Sequence, residues 1–214
     1  MIKDKYGSEL DRWVKTFAPF LFKREINPNL LTVLGTLVCL AAAWCYGRGE
    51  FLAGALLLWG GGLFDLVDGV VARHFGNSTA FGAFLDSTLD RLVDMAILTA
   101  LVIYYAGAGD PITACVAGVA LSASILTSYT KARAEALDID LNVGIVERGE
   151  RVILLVAGGV FGVMQLMIWI LAVGATATVV QRFTAARKGM DQLDSERAAE
   201  AARASGLAHG THGD

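Results

Sequence analysis

The sequence predicts an all-α, polytopic membrane protein with six transmembrane helices and an N-terminal cytoplasmic juxtamembrane helix. Three observations carry this expectation. Of 214 residues, 55% are hydrophobic and only 18% are charged, against about 25% charged in ordinary soluble domains. The apolar residues gather into uncharged runs. The basic residues gather at alternate ends of those runs. A soluble enzyme, a disordered chain and a disulfide scaffold are thereby disfavoured, and the net charge of -3 exerts no general pull on nucleic acid.

Taken in order, residues 1–25 form the juxtamembrane element. Leu10, Trp13, Val14, Phe17 and Leu21 fall on one helical face, opposite Asp11, Arg12, Lys15 and Lys23, as in a helix lying along a membrane surface. The polar, charged start lacks the pattern of a cleavable leader. Residues 26–47 contain no Asp, Glu, Lys or Arg and make the first span. Residues 51–64 begin the second, which continues with two acids to Ala72. The third extends from about Ser78 through the uncharged run 95–109, and 111–130 is the fourth. Residues 152–181 are uncharged throughout. As one helix they would measure about 45 Å, longer than the hydrocarbon core of about 30 Å. Two helices turning near Gly162–Gln165 are expected instead, the fifth reaching back as far as Asn142. The membrane domain then covers 26–188, and 189–214 is a polar cytoplasmic tail.

Orientation follows from the basic residues. Lys3, Lys5, Arg12, Lys15, Lys23 and Arg24 precede span one, and Arg73 and His74 join spans two and three. Lys131, Arg133, Arg148 and Arg151 flank the connection between spans four and five, and Arg182, Arg187 and Lys188 follow span six. Only Arg48 lies in an odd-to-even connection. The expected location is the cell membrane, multi-pass, with both termini cytoplasmic. Cys39, Cys45 and Cys115 all sit in apolar runs with no CxxC pair and read as buried, inert thiols.

Chemistry concentrates in residues 65–90, DLVDGVVARHFGNSTAFGAFLDSTLD. Asp65, Asp68, Asp86 and Asp90 interrupt otherwise apolar helices. A charged carboxylate at mid-span costs about 2.5–3.5 kcal/mol even on the mildest scale. The i,i+3 and i,i+4 spacings put each pair on one helix face. Folding the segment about the polar turn 74–80 sets Asp65 level with Asp90, and Asp68 level with Asp86. Four such carboxylates repel one another unless hard divalent cations bind between them, and two ions about 3.5–4 Å apart serve phosphoryl chemistry. Asp94, one turn on, is expected to pair with Arg91. Arg73 is a candidate clamp for a diphosphate. A divalent-cation channel or transporter is the non-enzymatic alternative, but a pathway would carry acids toward both faces, and these stop at one depth.

At these residues the chain resembles the CDP-alcohol phosphatidyltransferase family. Asp65-x2-Asp68-Gly69-x2-Ala72-Arg73-x8-Gly82-x3-Asp86-x3-Asp90 meets that family's signature at every fixed position. The resemblance implies a six-helix membrane enzyme with its site facing the cytoplasm. An acceptor hydroxyl attacks the β-phosphate of CDP-diacylglycerol, and CMP leaves. It implies two Mg²⁺ ions, with Mn²⁺ as the alternative, held by Asp65, Asp68 and Asp86 with Asp90 as neighbour and general base. It further implies CDP-lipid contacts at Asn29, Thr32, Gly69, Ala72, Arg73 and Gly82, and a homodimer. The bland reading of Asn27-Pro28-Asn29, helix entry with Pro28 in the first turn, is compatible with that role.

Ser128, Lys131, Arg133, Arg148, Arg151, Arg182 and Arg187 lie on the expected cytoplasmic side, where a convergent cationic pocket suits a phosphorylated acceptor. SYTKARAEA and GIVERGER resemble the phosphatidylinositol-phosphate synthase branch, with a departure at Gly149. That likeness implies inositol 1-phosphate as acceptor, gripped by Lys131, Arg133, Arg148 and Arg151, with Arg187 a further candidate. Glycerol 3-phosphate, which would make the chain a phosphatidylglycerophosphate synthase, carries the same phosphate and stays open. Diacyl and archaeal ether lipids also stay open as donors.

Overall fold

The computed structural model describes residues 28–75 and 79–210, and the side chains of 28–64 and 79–197. The juxtamembrane segment 1–25 and most of the turn before Ala80 lie outside the described residues. The side chains of Asp65, Asp68, Gly69, Ala72 and Arg73 also lie outside them.

All regular structure among the described residues is helical: α1 (Pro28–Gly47), α2 (Phe51–Phe75), α3 (Ala80–Gly107), α4 (Pro111–Glu135), α5 (Arg148–Val160) and α6 (Met164–Gly210). Pro28 and Pro111 each stand at a helix start, where a missing N–H breaks no helical bond. Asp110 caps α4, accepting from the Thr113 N–H at 3.0 Å and the Thr113 hydroxyl at 2.6 Å. These bonds hold its carboxyl below the usual carboxylate range. Gln165 of α6 donates to the same carboxylate at 3.2 Å and to the Thr113 hydroxyl at 2.9 Å. One polar tie thus joins the α3–α4 and α5–α6 turns.

α1 packs on α2 and α3, α4 on α3 and α6, and α5 on α2 and α6. The helices therefore close a ring in the order α1, α2, α5, α6, α4, α3. Tyr46, Leu58, Ile97, Leu101, Ile168 and Leu171 are buried within it. The Tyr46 hydroxyl donates to the Leu155 carbonyl at 3.1 Å, a cross-ring bond from α1 to α5. Trp44, Trp59, Ile103 and Val173 are exposed on the outside, which is apolar, as a lipid-facing surface must be. Among the described residues, three segments are long and apolar enough to cross a bilayer: α1, α4 and residues Met164–Arg197 of α6. In α2 the apolar part is Phe51–Phe64, before the acids begin. The chain is a membrane protein.

The long uncharged run does divide, at Phe161–Val163, where Gly162 has φ 69° and makes the left-handed turn without a side-chain penalty. The fifth helix starts later than expected, at Arg148 rather than Asn142. The backbone N–H groups of Ile145 and Val146 donate instead to the Thr178 hydroxyl at 3.2 and 3.0 Å, so 136–147 runs as an irregular strap along α6. Ile139 and Leu141 of the strap pack with Ala134, Ala185 and Met190. At 13 residues, α5 is about 20 Å long, shorter than a hydrocarbon core of about 30 Å. The last helix continues unbroken into the expected tail as far as Gly210. Its alanine, glutamate and arginine content favours helix, and no proline stops it. Cys39 is buried and Cys45 half-buried, but Cys115 is exposed on α4. Its apolar context marked membrane rather than core.

Candidate active site

A cavity of about 340 Å³ opens between α3, α4, the start of α5 and α6. Asp90, Arg91 and Asp94 reach it from α3, and Thr127, Ser128, Lys131 and Glu135 from α4. Glu147, Arg148 and Arg151 come from the α5 end, and Arg182 from α6. Five basic side chains thus face four acidic ones, a balance that admits an anion.

The opposite charges are paired across the ring. Arg148 Nη1 stands 2.6 Å from Asp90 Oδ2, with side chains 30% and 20% exposed. Arg151 Nη1 stands 3.0 Å from Asp94 Oδ2. Arg151 is nearly fully buried, and also donates to the Ser124 carbonyl at 3.2 Å and the Glu147 carbonyl at 3.3 Å. A buried ion pair survives desolvation only when its remaining donors are satisfied in this way. Asp94 is therefore held by Arg151 from the facing helix, not by its neighbour Arg91, which donates to the Ser87 carbonyl on its own helix.

A narrow slot joins the cavity at Asp90 and Arg148 and is also lined by Thr32, Gly35 and Thr36 of α1 and Gly61 of α2. Asp65 and Asp68 stand one and two turns beyond Gly61 along α2. Asp86 and Asp90 share a face of α3 and are half-buried. Among the described residues no three potential ligands converge; the side chains of Asp65 and Asp68 are not among them. What is described fits a divalent metal: the half-buried carboxylates of Asp86 and Asp90 offer hard oxygen donors of the kind Mg²⁺ and Mn²⁺ take, and Asp90 lines the slot. At the mouth of α3, a Cβ on Gly82 would stand 3.0 Å from Asn29 Oδ1. Asn29 and Gly82 are thus adjacent, as a shared ligand surface requires. Thr32 lines the slot and donates to the Pro28 carbonyl at 3.1 Å.

Of the acceptor candidates, Ser128, Lys131, Arg148 and Arg151 line the cavity. Arg133 and Arg187 are exposed on α4 and α6 and do not line it. Arg182, which reads in sequence as one of several basic residues ending the last span, is the buried one, 4% exposed. Thr127 and Glu147 were not singled out from sequence. A Glu directly before a helix start is the signal that marks Glu147, whose N–H donates to Glu150 Oε2 at 3.0 Å.

The family model for CDP-alcohol phosphatidyltransferases matches residues 25–196. The chain belongs to that family. It is an enzyme of phospholipid synthesis, a CDP-alcohol phosphatidyltransferase, which removes the cation-pathway alternative. The phosphatidylinositol phosphate synthase of Streptomyces avermitilis is 40% identical over 213 residues, covering 92% of this chain and 87% of its own. The archaetidylinositol phosphate synthase of Methanothermobacter thermautotrophicus is 42% identical over 171 residues, covering 77% and 85%. The phosphatidylinositol phosphate synthase of Mycobacterium tuberculosis, with CDP-DAG bound, superposes with TM-score 0.75 at 33% identity over 82% of this chain and 94% of its own. The same enzyme has been solved with manganese and citrate, with TM-score 0.75 at 34% identity over 81% and 88%.

Proposed function

We propose that this chain transfers the phosphatidyl group of CDP-diacylglycerol to a hydroxyl of inositol 1-phosphate and releases CMP. The observation that carries the reading is the cavity: Lys131, Arg148 and Arg151 stand beside Asp90, so an acceptor phosphate and a reacting hydroxyl find their partners in one space. Relatives named for inositol phosphate acceptors support the same choice.

In this mechanism the acceptor's phosphate seats against Lys131 and Arg148, and its hydroxyl points at Asp90. Asp90 takes the hydroxyl proton as the new oxygen–phosphorus bond forms at the β-phosphate. The bond from that phosphorus to the bridging oxygen breaks, and CMP carries the electron pair away. Asp65, Asp68 and Asp86, with Asp90 as neighbour, would hold two Mg²⁺ ions, or Mn²⁺ in their place. When bound, the ions neutralise the diphosphate and stabilise the leaving phosphate. Asn29, Thr32 and Gly82, with Gly69, Ala72 and Arg73, receive the cytidine diphosphate. Arg151, anchored on Asp94, contributes positive potential from the cavity floor rather than a mobile grip.

The finer topology belongs to the same reading. All six helices span the membrane, α5 with its strap as the fifth, and the site faces the cytoplasm because the basic residues do. The chain works as a homodimer, as the family resemblance implies. An acceptor panel tests the function: inositol 1-phosphate, free inositol, glycerol 3-phosphate and serine, each with CDP-diacylglycerol and Mg²⁺, read as CMP release. Inositol 1-phosphate is expected to be used well and free inositol poorly. Preference for glycerol 3-phosphate would keep the cavity and reassign the acceptor. Efficient use of free inositol would reject the phosphate-binding role.

A further inference from the structure

Two basic residues of the cavity, Arg148 and Arg151, stand on a short helix whose start is held by contacts to the strap before it. The strap 136–147 delivers α5 to the cavity, and α6 grips that strap at two adjacent turns. Thr178 accepts the N–H groups of Ile145 and Val146. Gly144 runs so close that a Cβ there would stand 2.8 Å from Thr178 Cγ2. One turn on, Arg182 spreads its guanidinium over three acceptors, two on the strap and one on α4. Nε donates to the Val143 carbonyl at 2.9 Å, Nη1 to the Thr127 carbonyl at 2.6 Å, and Nη2 to the Glu147 carboxylate at 3.0 Å. Thr178 is fully buried and Arg182 nearly so. Glu147 immediately precedes Arg148, the residue that reaches Asp90.

We infer that Arg182, with Thr178, is a positioning residue for acceptor binding. Its planar fork fixes the strap and α4 to one another, and so sets where Arg148 stands relative to Lys131 and Asp90. Most of its donors are committed to protein oxygens, so it acts through Arg148 rather than on the acceptor. A lysine has one nitrogen and cannot bridge three acceptors in this geometry. The inference rests on the cavity being the acceptor site.

The test measures separate KM values for inositol 1-phosphate and CDP-diacylglycerol in the full chain, with thermal unfolding in detergent as the fold control. Arg182→Lys, Arg182→Met and Thr178→Val are each expected to raise the acceptor KM, Arg182→Met by roughly ten- to a hundredfold as for a misplaced positioning group. The KM for CDP-diacylglycerol should stay within about twofold, because its partners lie on α1, α2 and the start of α3. In an Arg148→Gln background the Arg182→Lys substitution should add little, because residues acting through one contact are not additive. Should Arg182→Met not fold, Arg182→Lys and Thr178→Val carry the same comparison. Equal rises in both KM values, or full additivity with Arg148→Gln, would overturn the positioning role. Lys131→Gln and Arg148→Gln alone separate the two levels. If neither raises the acceptor KM, the acceptor site itself is wrong. If both do and the Arg182 variants do not, the site stands and the positioning role falls.

Discussion

Arg148→Gln is the most informative single substitution. It keeps most of the side chain's length and some hydrogen bonding, and it removes the charge. In the structure Arg148 lies 2.6 Å from Asp90 and is 30% exposed, so its charge faces a partly desolvated cavity rather than open water. A hydrogen bond to a charged group is worth about 1.5–3 kcal/mol in such a setting, and 1.4 kcal/mol is tenfold in affinity. The acceptor KM is therefore expected to rise roughly ten- to a hundredfold. The KM for CDP-diacylglycerol should change far less. Turnover at saturating acceptor should also fall, because the carboxylate of Asp90 loses the contact that orients it. The assay is CMP release with each substrate varied in turn, at fixed Mg²⁺ and ionic strength. An unchanged acceptor KM, with a folded protein and normal CDP-lipid use, would refute the reasoning.

Asp65→Asn, Asp68→Asn and Asp86→Asn should each abolish transfer in a folded membrane protein; near-wild-type activity in any two would sink the two-metal reading. Chelation should stop CMP release, and Mg²⁺ or Mn²⁺ should restore it. Asp90→Asn should lose far more turnover than CDP-lipid binding, measured by ligand binding beside kinetics; the reverse pattern would make Asp90 mainly a binding ligand. Tyr46→Phe removes a buried donor from the Leu155 carbonyl and should lower unfolding stability by about 1 kcal/mol with the acceptor KM unchanged. Asp110 has a depressed pKa caused first by the Thr113 hydroxyl. Its tie therefore contributes above the unfolded carboxylate pKa of about 4 and is lost as pH falls through the lower folded value. Thermal unfolding across that acid window should be flatter in Asp110→Asn.

The helices were largely legible because each ends where charge, glycine or proline ends it. The uncharged run 26–47 became Pro28–Gly47, and the expected break near Gly162 lies at Phe161–Val163. The carboxylates were legible for a related reason: an acid in an apolar helix has few structural uses. What stayed hidden depends on partners distant in sequence. Residues 142–147 look helical in isolation, yet Thr178 and Arg182, more than 30 residues on, capture their backbone. Asp94 has a local basic neighbour at helical spacing in Arg91, but the ring presents Arg151 to it. Arg182 and Arg187 look alike as basic residues ending a span, and only the fold buries one and exposes the other.

The pairing of acid with base across this ring bears on acceptor choice. Arg148 touches the proposed base directly, so the positive charge that draws an acceptor phosphate and the carboxylate that takes its proton are one hydrogen bond apart. An acceptor with a phosphate and a hydroxyl on one rigid frame satisfies both at once, with little freedom left to lose. Free inositol offers the hydroxyl alone and brings no phosphate to Lys131 and Arg148. Glycerol 3-phosphate offers both groups on a flexible chain and must be ordered on binding. A rigid phosphorylated polyol is therefore the acceptor that this arrangement orients at least cost, and the comparison of inositol 1-phosphate with glycerol 3-phosphate should appear as a difference in kcat as well as in KM.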